Sequence, residues 1–269
     1  MSIDGWYPVV GAVMAAVGAL LGWFVPALVA RIPEPEPDAE PPAQEVGAAG
    51  GETGRRAEAG EAADPEEQAP TAEPEDPKEL YVDLAAHPGL AQKSALASAL
   101  AAGVVGARLG WDPALLVWAY LVPVGVALAF IDWRTRLLPT KVIAPSYAVV
   151  VALTLVAALV SGDWDSLIRA GWGWLIAGAT FFVLWFVYPR GMGYGDVRLS
   201  GLLGISLGYL GWAELLTGIY AGFLIGGVGG LLLSLLRIVD RKAYPFGPFM
   251  LVGALVGVLA GPYVAAWYA

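Results

Sequence analysis

The chain has 269 residues, 58% of them hydrophobic and only 14% charged, with a mean hydropathy of +0.64. Soluble domains run at about 45–50% apolar and about 25% charged, so this composition excludes a single water-soluble core and points to an integral membrane protein. With no cysteine and one histidine, His87, a disulfide framework, a zinc–thiolate site, a cysteine nucleophile and a His-rich metal site are all excluded.

The first apolar segment, Trp6–Ala30, is long enough to span a bilayer, which takes about 20 apolar residues. It follows Asp4 rather than a basic cluster and is too long for a signal-peptide core, so it reads as a retained span. Residues 31–93 follow as a loop. Within 31–90 lie 16 acidic and 4 basic side chains, amid Pro, Ala and Gly. Such a tract buries too little apolar surface to offset the entropy of ordering it. It is expected to be a disordered acidic cytoplasmic loop, with transient helix around Pro77–Leu84. A solvated spacer is the plainer reading; attraction of a basic partner is the functional one.

Seven further apolar segments fill residues 94–269: Ser94–Leu109, Pro113–Ile131, Val142–Ser161, Ile168–Tyr188, Val197–Leu210, Ala213–Ile238 and Pro248–Trp267. The expected fold is therefore all-α and polytopic, with about eight transmembrane helices. Thirteen of the 15 basic residues fall in the odd-numbered loops, and only Arg108 and Arg169 fall in the others. This asymmetry puts the odd loops in the cytoplasm and both termini outside.

Ionisable groups at span ends are functional candidates. Asp132 closes the third span and Asp196 opens the sixth, both on the cytoplasmic side. Two carboxylates that meet cannot both ionise easily and hold one proton between them. Such a pair activates water against a peptide carbonyl with no metal and no histidine. The structural alternative pairs each acid with the arginine two residues on, Arg134 or Arg198. The local pattern favours chemistry. Gly191, Gly193 and Gly195 alternate ahead of Asp196, and a glycine-rich backbone can bend at membrane depth and admit a substrate strand. Tyr244–Phe249 (YPFGPF), which contains Pro245, Phe246, Gly247 and Pro248, is either a substrate-facing turn or an aromatic membrane belt, the belt being the plainer reading. Ser94 and Ser98, near Lys93, read as small residues for close helix packing. His87 reads as a solvated loop residue.

Taken together, these motifs resemble the type IV prepilin peptidases, membrane aspartic proteases of the GxGD kind. Gly18–Pro33 (GALLGWFVPALVARIP) is similar to the family's first-span signature. Gly22, Phe24, Arg31 and Pro33 fit it, while Trp23 and Pro26 replace the usual Ser and Asn. Leu128–Thr140 (LAFIDWRTRLLPT) resembles the segment carrying the first catalytic Asp. Gly191–Gly204 (GMGYGDVRLSGLLG) resembles the one carrying the second, and Tyr244–Leu255 resembles the FGPF segment. The resemblance implies Asp132 and Asp196 as the catalytic pair, with Gly191, Gly193, Gly195, Pro245, Phe246, Gly247 and Pro248 shaping the site or binding substrate. It also implies a hydrolase of type IV pilus or protein-secretion systems, needing no cofactor and no nucleic acid. The enzyme would sit in the inner membrane and cut the basic leader from a prepilin or pseudopilin precursor, after Gly and before an apolar residue.

Many members carry two Cys-x-x-Cys pairs between spans one and two and methylate the new N-terminus from S-adenosylmethionine. Here the acidic tract stands in that place without cysteine, which puts N-methyltransferase activity in doubt. Thr140 also stands where an acid often follows Leu-Pro. Two alternatives remain at this point. One is a preflagellin-processing GxGD protease with the same chemistry. The other is a non-proteolytic transporter, which would be expected to carry acids deeper in its spans and an internal repeat. A presenilin-like enzyme would need Pro-Ala-Leu near the last spans, whereas here it occurs at Pro26–Leu28 and Pro113–Leu115.

Overall fold

The structure is a computed structural model that describes residues 6–34, 79–189, 192–235 and 245–268. Its elements are all helices: α1 Pro8–Trp23, α2 Val25–Val29, α3 Tyr81–Ala85, α4 Leu90–Leu109, α5 Leu115–Thr135, α6 Thr140–Ser161, α7 Trp164–Val187, α8 Tyr194–Leu210, α9 Trp212–Leu235 and α10 Gly247–Tyr268. An all-α polytopic membrane protein is what these helices make. α4, α5, α6, α7, α9 and α10 are each long and apolar enough to cross a bilayer. α1 has 16 residues and α8 has 17, so α8 is about 25 Å long at about 1.5 Å per residue, short of a hydrocarbon core of about 30 Å. Helices thus stand at all eight expected positions, and six meet the spanning criterion outright.

The first expected span is not one helix. Pro26 has no N–H to give, and its ring opposes the carbonyl one turn earlier. The chain answers with a turn at Phe24, whose N–H donates to the Leu21 carbonyl at 3.1 Å. α4 begins earlier than Ser94, at Leu90, where Gly89 takes a left-handed φ of 74° that a side chain would resist. The acidic tract of residues 35–78, with the start of Pro77–Leu84, lies outside the described residues; α3 forms just after it.

Small residues decide how the helices pair. A Cβ on Gly22 of α1 would lie 2.6 Å from the Ser94 carbonyl oxygen. The Ser94 hydroxyl donates to the Gly22 carbonyl at 2.8 Å. At the other end of the pair, a Cβ on Gly11 would meet Ala107 Cβ at 2.8 Å, so α1 and α4 run antiparallel at close range. This is the packing role expected of Ser94 and Ser98. α9 and α10 close on each other in the same way, with Gly257 against the Glu214 carbonyl and Gly261 against the Glu214 backbone. α7 and α8 do so through Gly173, Gly204 and Gly208. Because α1 and α4 are antiparallel and short links join α4 to α5 and α5 to α6, the end of the first span, the end of α5 and the start of α6 share one end of the bundle.

Candidate active site

That shared end holds both aspartates. Asp132 lies in the last turn of α5, 4% exposed, and Asp196 in the first turn of α8, 6% exposed. α5 stops just beyond Asp132 because Arg136 turns left-handed (φ 57°) and returns its N–H to the Asp132 carbonyl at 2.8 Å. α8 begins where the Gly193 N–H donates to Asp196 Oδ2 at 3.1 Å, half of a capping box, in which an acid at the third helical position reaches back to the cap. Its other oxygen, Oδ1, is buried with no hydrogen-bond partner among the described residues. A buried carboxylate oxygen left open in this way is costly in a structural role and useful in a reactive one.

Asp132 is held by main chain rather than by a cation. The Gly247 N–H, at the start of α10, donates to Asp132 Oδ2 at 2.9 Å. A Cβ at residue 247 would lie 2.8 Å from that oxygen, and a Cβ at residue 195 would lie 2.6 Å from Leu138 Cβ. Leu138, on the link between α5 and α6, thus touches the backbone just before Asp196 and also reaches toward Gly247. The two carboxyls interact electrostatically across this point. The neighbouring arginines are engaged elsewhere. Arg134 forms a two-pronged ion pair with Glu79. Arg198 donates to the Thr140 hydroxyl and lies 4.7 Å from the Tyr194 ring centroid. The expected alternative, each acid neutralised by the arginine two residues on, is not what forms.

Of the other expected site residues, Gly193, Gly195 and Gly247 stand around the carboxyls as just described. Pro245 is buried and Pro248 half-buried. Phe246 does not join an interfacial belt. Its ring packs inward, 6.0 Å from Phe181 and 5.6 Å from Phe223 between centroids, and anchors the start of α10. Gly191 lies outside the described residues. His87 is half-buried, edge-on to Phe130 at 6.1 Å, rather than free in solvent. Leu138 was not singled out by sequence reasoning. Its one signal is position, inside the Leu-Leu-Pro that joins the Asp132 helix to the next.

Comparison with known proteins shows what the sequence is similar to. Residues 119–235 match the model of the type IV leader peptidase family. Prepilin leader peptidase/N-methyltransferases of Aeromonas salmonicida (strain A449) and Pseudomonas aeruginosa are 32% and 29% identical to the chain over 187 and 180 residues. Each alignment covers 64% of this chain and 59% of the relative. The prepilin leader peptidase/N-methyltransferase of Escherichia coli (strain K12) is 27% identical over 49% of this chain and 58% of its own length. The resemblance to the prepilin peptidases therefore holds over the segment that carries both aspartates, and the chain spans about three fifths of the length of the curated relatives it matches. No solved structure matches the chain.

Proposed function

We propose that this chain is a membrane aspartic endopeptidase that removes the basic leader from prepilin-like precursors at the cytoplasmic face of the inner membrane. The observation that carries the reading is one arrangement: two buried carboxyls, Asp132 and Asp196, on different helices at one end of the bundle, with no cation paired to either among the described residues. One carboxyl stays ionised and the other protonated. Water gives a proton to the ionised member as its oxygen bonds to the peptide carbonyl carbon, and the protonated member gives its proton to the carbonyl oxygen. Collapse of the resulting diol delivers a proton to the peptide nitrogen and breaks the C–N bond. The products are a leader ending in a carboxyl and a mature chain beginning with an amine. The seven-helix part, 94–269, would form the peptidase domain with the first span packed on it. The proposal covers proteolysis alone.

An apolar groove of about 610 Å³ supports the choice of substrate. It begins at Thr140 and Arg198, at the bundle end that holds Asp196, and runs past Tyr147 and Val151 to Thr154 on α6, about 21 Å at about 1.5 Å per residue. A precursor with an apolar helix could lie there with its scissile bond at the carboxyls. Incubating the purified chain with a synthetic precursor (basic leader, Gly-Phe junction, apolar helix) and weighing both products tests the reading. Two fragments meeting at that junction are expected, and none with Asp132→Asn or Asp196→Asn. An intact precursor, or cutting that survives both replacements, overturns it.

A further inference from the structure

The first span carries a feature that proteolysis leaves unused. A groove of about 450 Å³ runs beside it, with Leu21, Phe24 and Leu28 as one wall, Pro123 of α5 behind and Pro145 of α6 opposite. Arg31 and Lys141 line the same groove. Both are exposed, and none of the described residues lining it is acidic. Arg31 follows α2 and Lys141 opens α6, so both cations stand at the bundle end that holds Asp132.

The two parts of the groove call for two properties in one occupant. The apolar wall accepts a hydrocarbon chain, which by itself selects nothing in a bilayer. The paired cations select a negative headgroup, and basic pockets between membrane helices bind such headgroups. A choline headgroup brings its own positive charge to the same place and gains less. A basic peptide leader is repelled by the same two cations. We infer that this groove binds one anionic phospholipid of the leaflet on the Asp132 side, its phosphate between Arg31 and Lys141 and one acyl chain along Leu28, Phe24 and Leu21.

The test is native mass spectrometry of the detergent-solubilised full chain, offered equal amounts of phosphatidylglycerol and phosphatidylcholine. The unaltered chain retains phosphatidylglycerol in preference. Arg31→Gln or Lys141→Gln each lowers that retention about fivefold, and the double replacement abolishes the preference. Lys93→Gln, which removes an exposed cation outside the groove, leaves it unchanged. Leu28→Trp, which fills the apolar wall with both cations intact, lowers retention of either lipid. Excess inorganic phosphate, which has the charge but no chain, displaces little lipid. Undiminished phosphatidylglycerol in the double variant, equal retention of both lipids by the unaltered chain, or displacement by phosphate alone overturns the site.

Discussion

The two ends of the bundle both carry charge, and they use it differently. At the end opposite the aspartates, Arg169 donates to the carbonyls of Gly208, Tyr209 and Leu210 and to the Ser166 hydroxyl. It thereby collects the orphan acceptors at the C-terminus of α8. Asp163 caps α7 through the Ser166 N–H at 2.9 Å and its hydroxyl at 2.6 Å. Buried Glu214 interacts electrostatically with Arg169 and Arg108. Arg169 ties α7 to the end of α8, and Asp163 finishes the start of α7. At the aspartate end, Asp132 and Asp196 are equally buried but take one main-chain N–H each. The contrast separates charges tied into the structure from two carboxyls with a single main-chain donor each, and burial alone would not have told them apart.

That contrast can be broken by substitution. The largest effect falls on the aspartates. Asp132→Asn and Asp196→Asn keep shape but cannot share a proton, so cleavage drops by about 10³-fold or more while the protein still accumulates in the membrane. Single-turnover cleavage with a membrane-fraction blot checks both halves. Arg169→Met does the reverse. It strands the α8 carbonyls, costs about 2–4 kcal/mol in a thermal or denaturant unfolding series, and leaves cleavage per folded molecule unchanged. Loss of catalysis without loss of stability in that variant would erase the distinction between the ends.

A sharper probe is Gly247→Ala. Its Cβ would lie 2.8 Å from Asp132 Oδ2, so the carboxyl must shift, and a misplacement of this order costs about 10- to 100-fold in rate. Alanine suits a helix better than glycine, so unfolding is expected to move little. Asp163→Ala, which removes the α7 cap, costs about 1 kcal/mol at neutral pH. The two Ser166 hydrogen bonds hold the Asp163 carboxyl below the usual carboxylate range. Its contribution is therefore present above the ordinary Asp value and fades as pH falls through the depressed one, so the variant and the unaltered chain converge in acid. The smallest effect belongs to the acidic tract. Deleting residues 36–76 slows processing of a basic leader a few-fold at low ionic strength, and the difference disappears in high salt.

Much of the aspartate end was legible in the sequence, because a lone acid at each of two span ends is conspicuous in an apolar chain. The orientation of the FGPF turn was not. Phe246 reads as an interfacial aromatic until Phe181 and Phe223 arrive from α7 and α9, helices far from it in sequence. The break at Phe24 was readable from Pro26 and was hidden by the continuous apolar run around it. Arg169 counted only as an exception to the charge asymmetry, since nothing local shows that the end of α8 lies within its reach. Tertiary partners, not local propensity, decided each of these.

The donor that steadies Asp132 belongs to the peptide backbone at residue 247. No exchange of side chains away from residue 247 deletes it, whereas at 247 itself any Cβ would crowd the oxygen it serves. The aim of that carboxyl thus hangs on one glycine. A chain made with an ester linkage at that one bond would unhook the acid while every side chain stayed as it was.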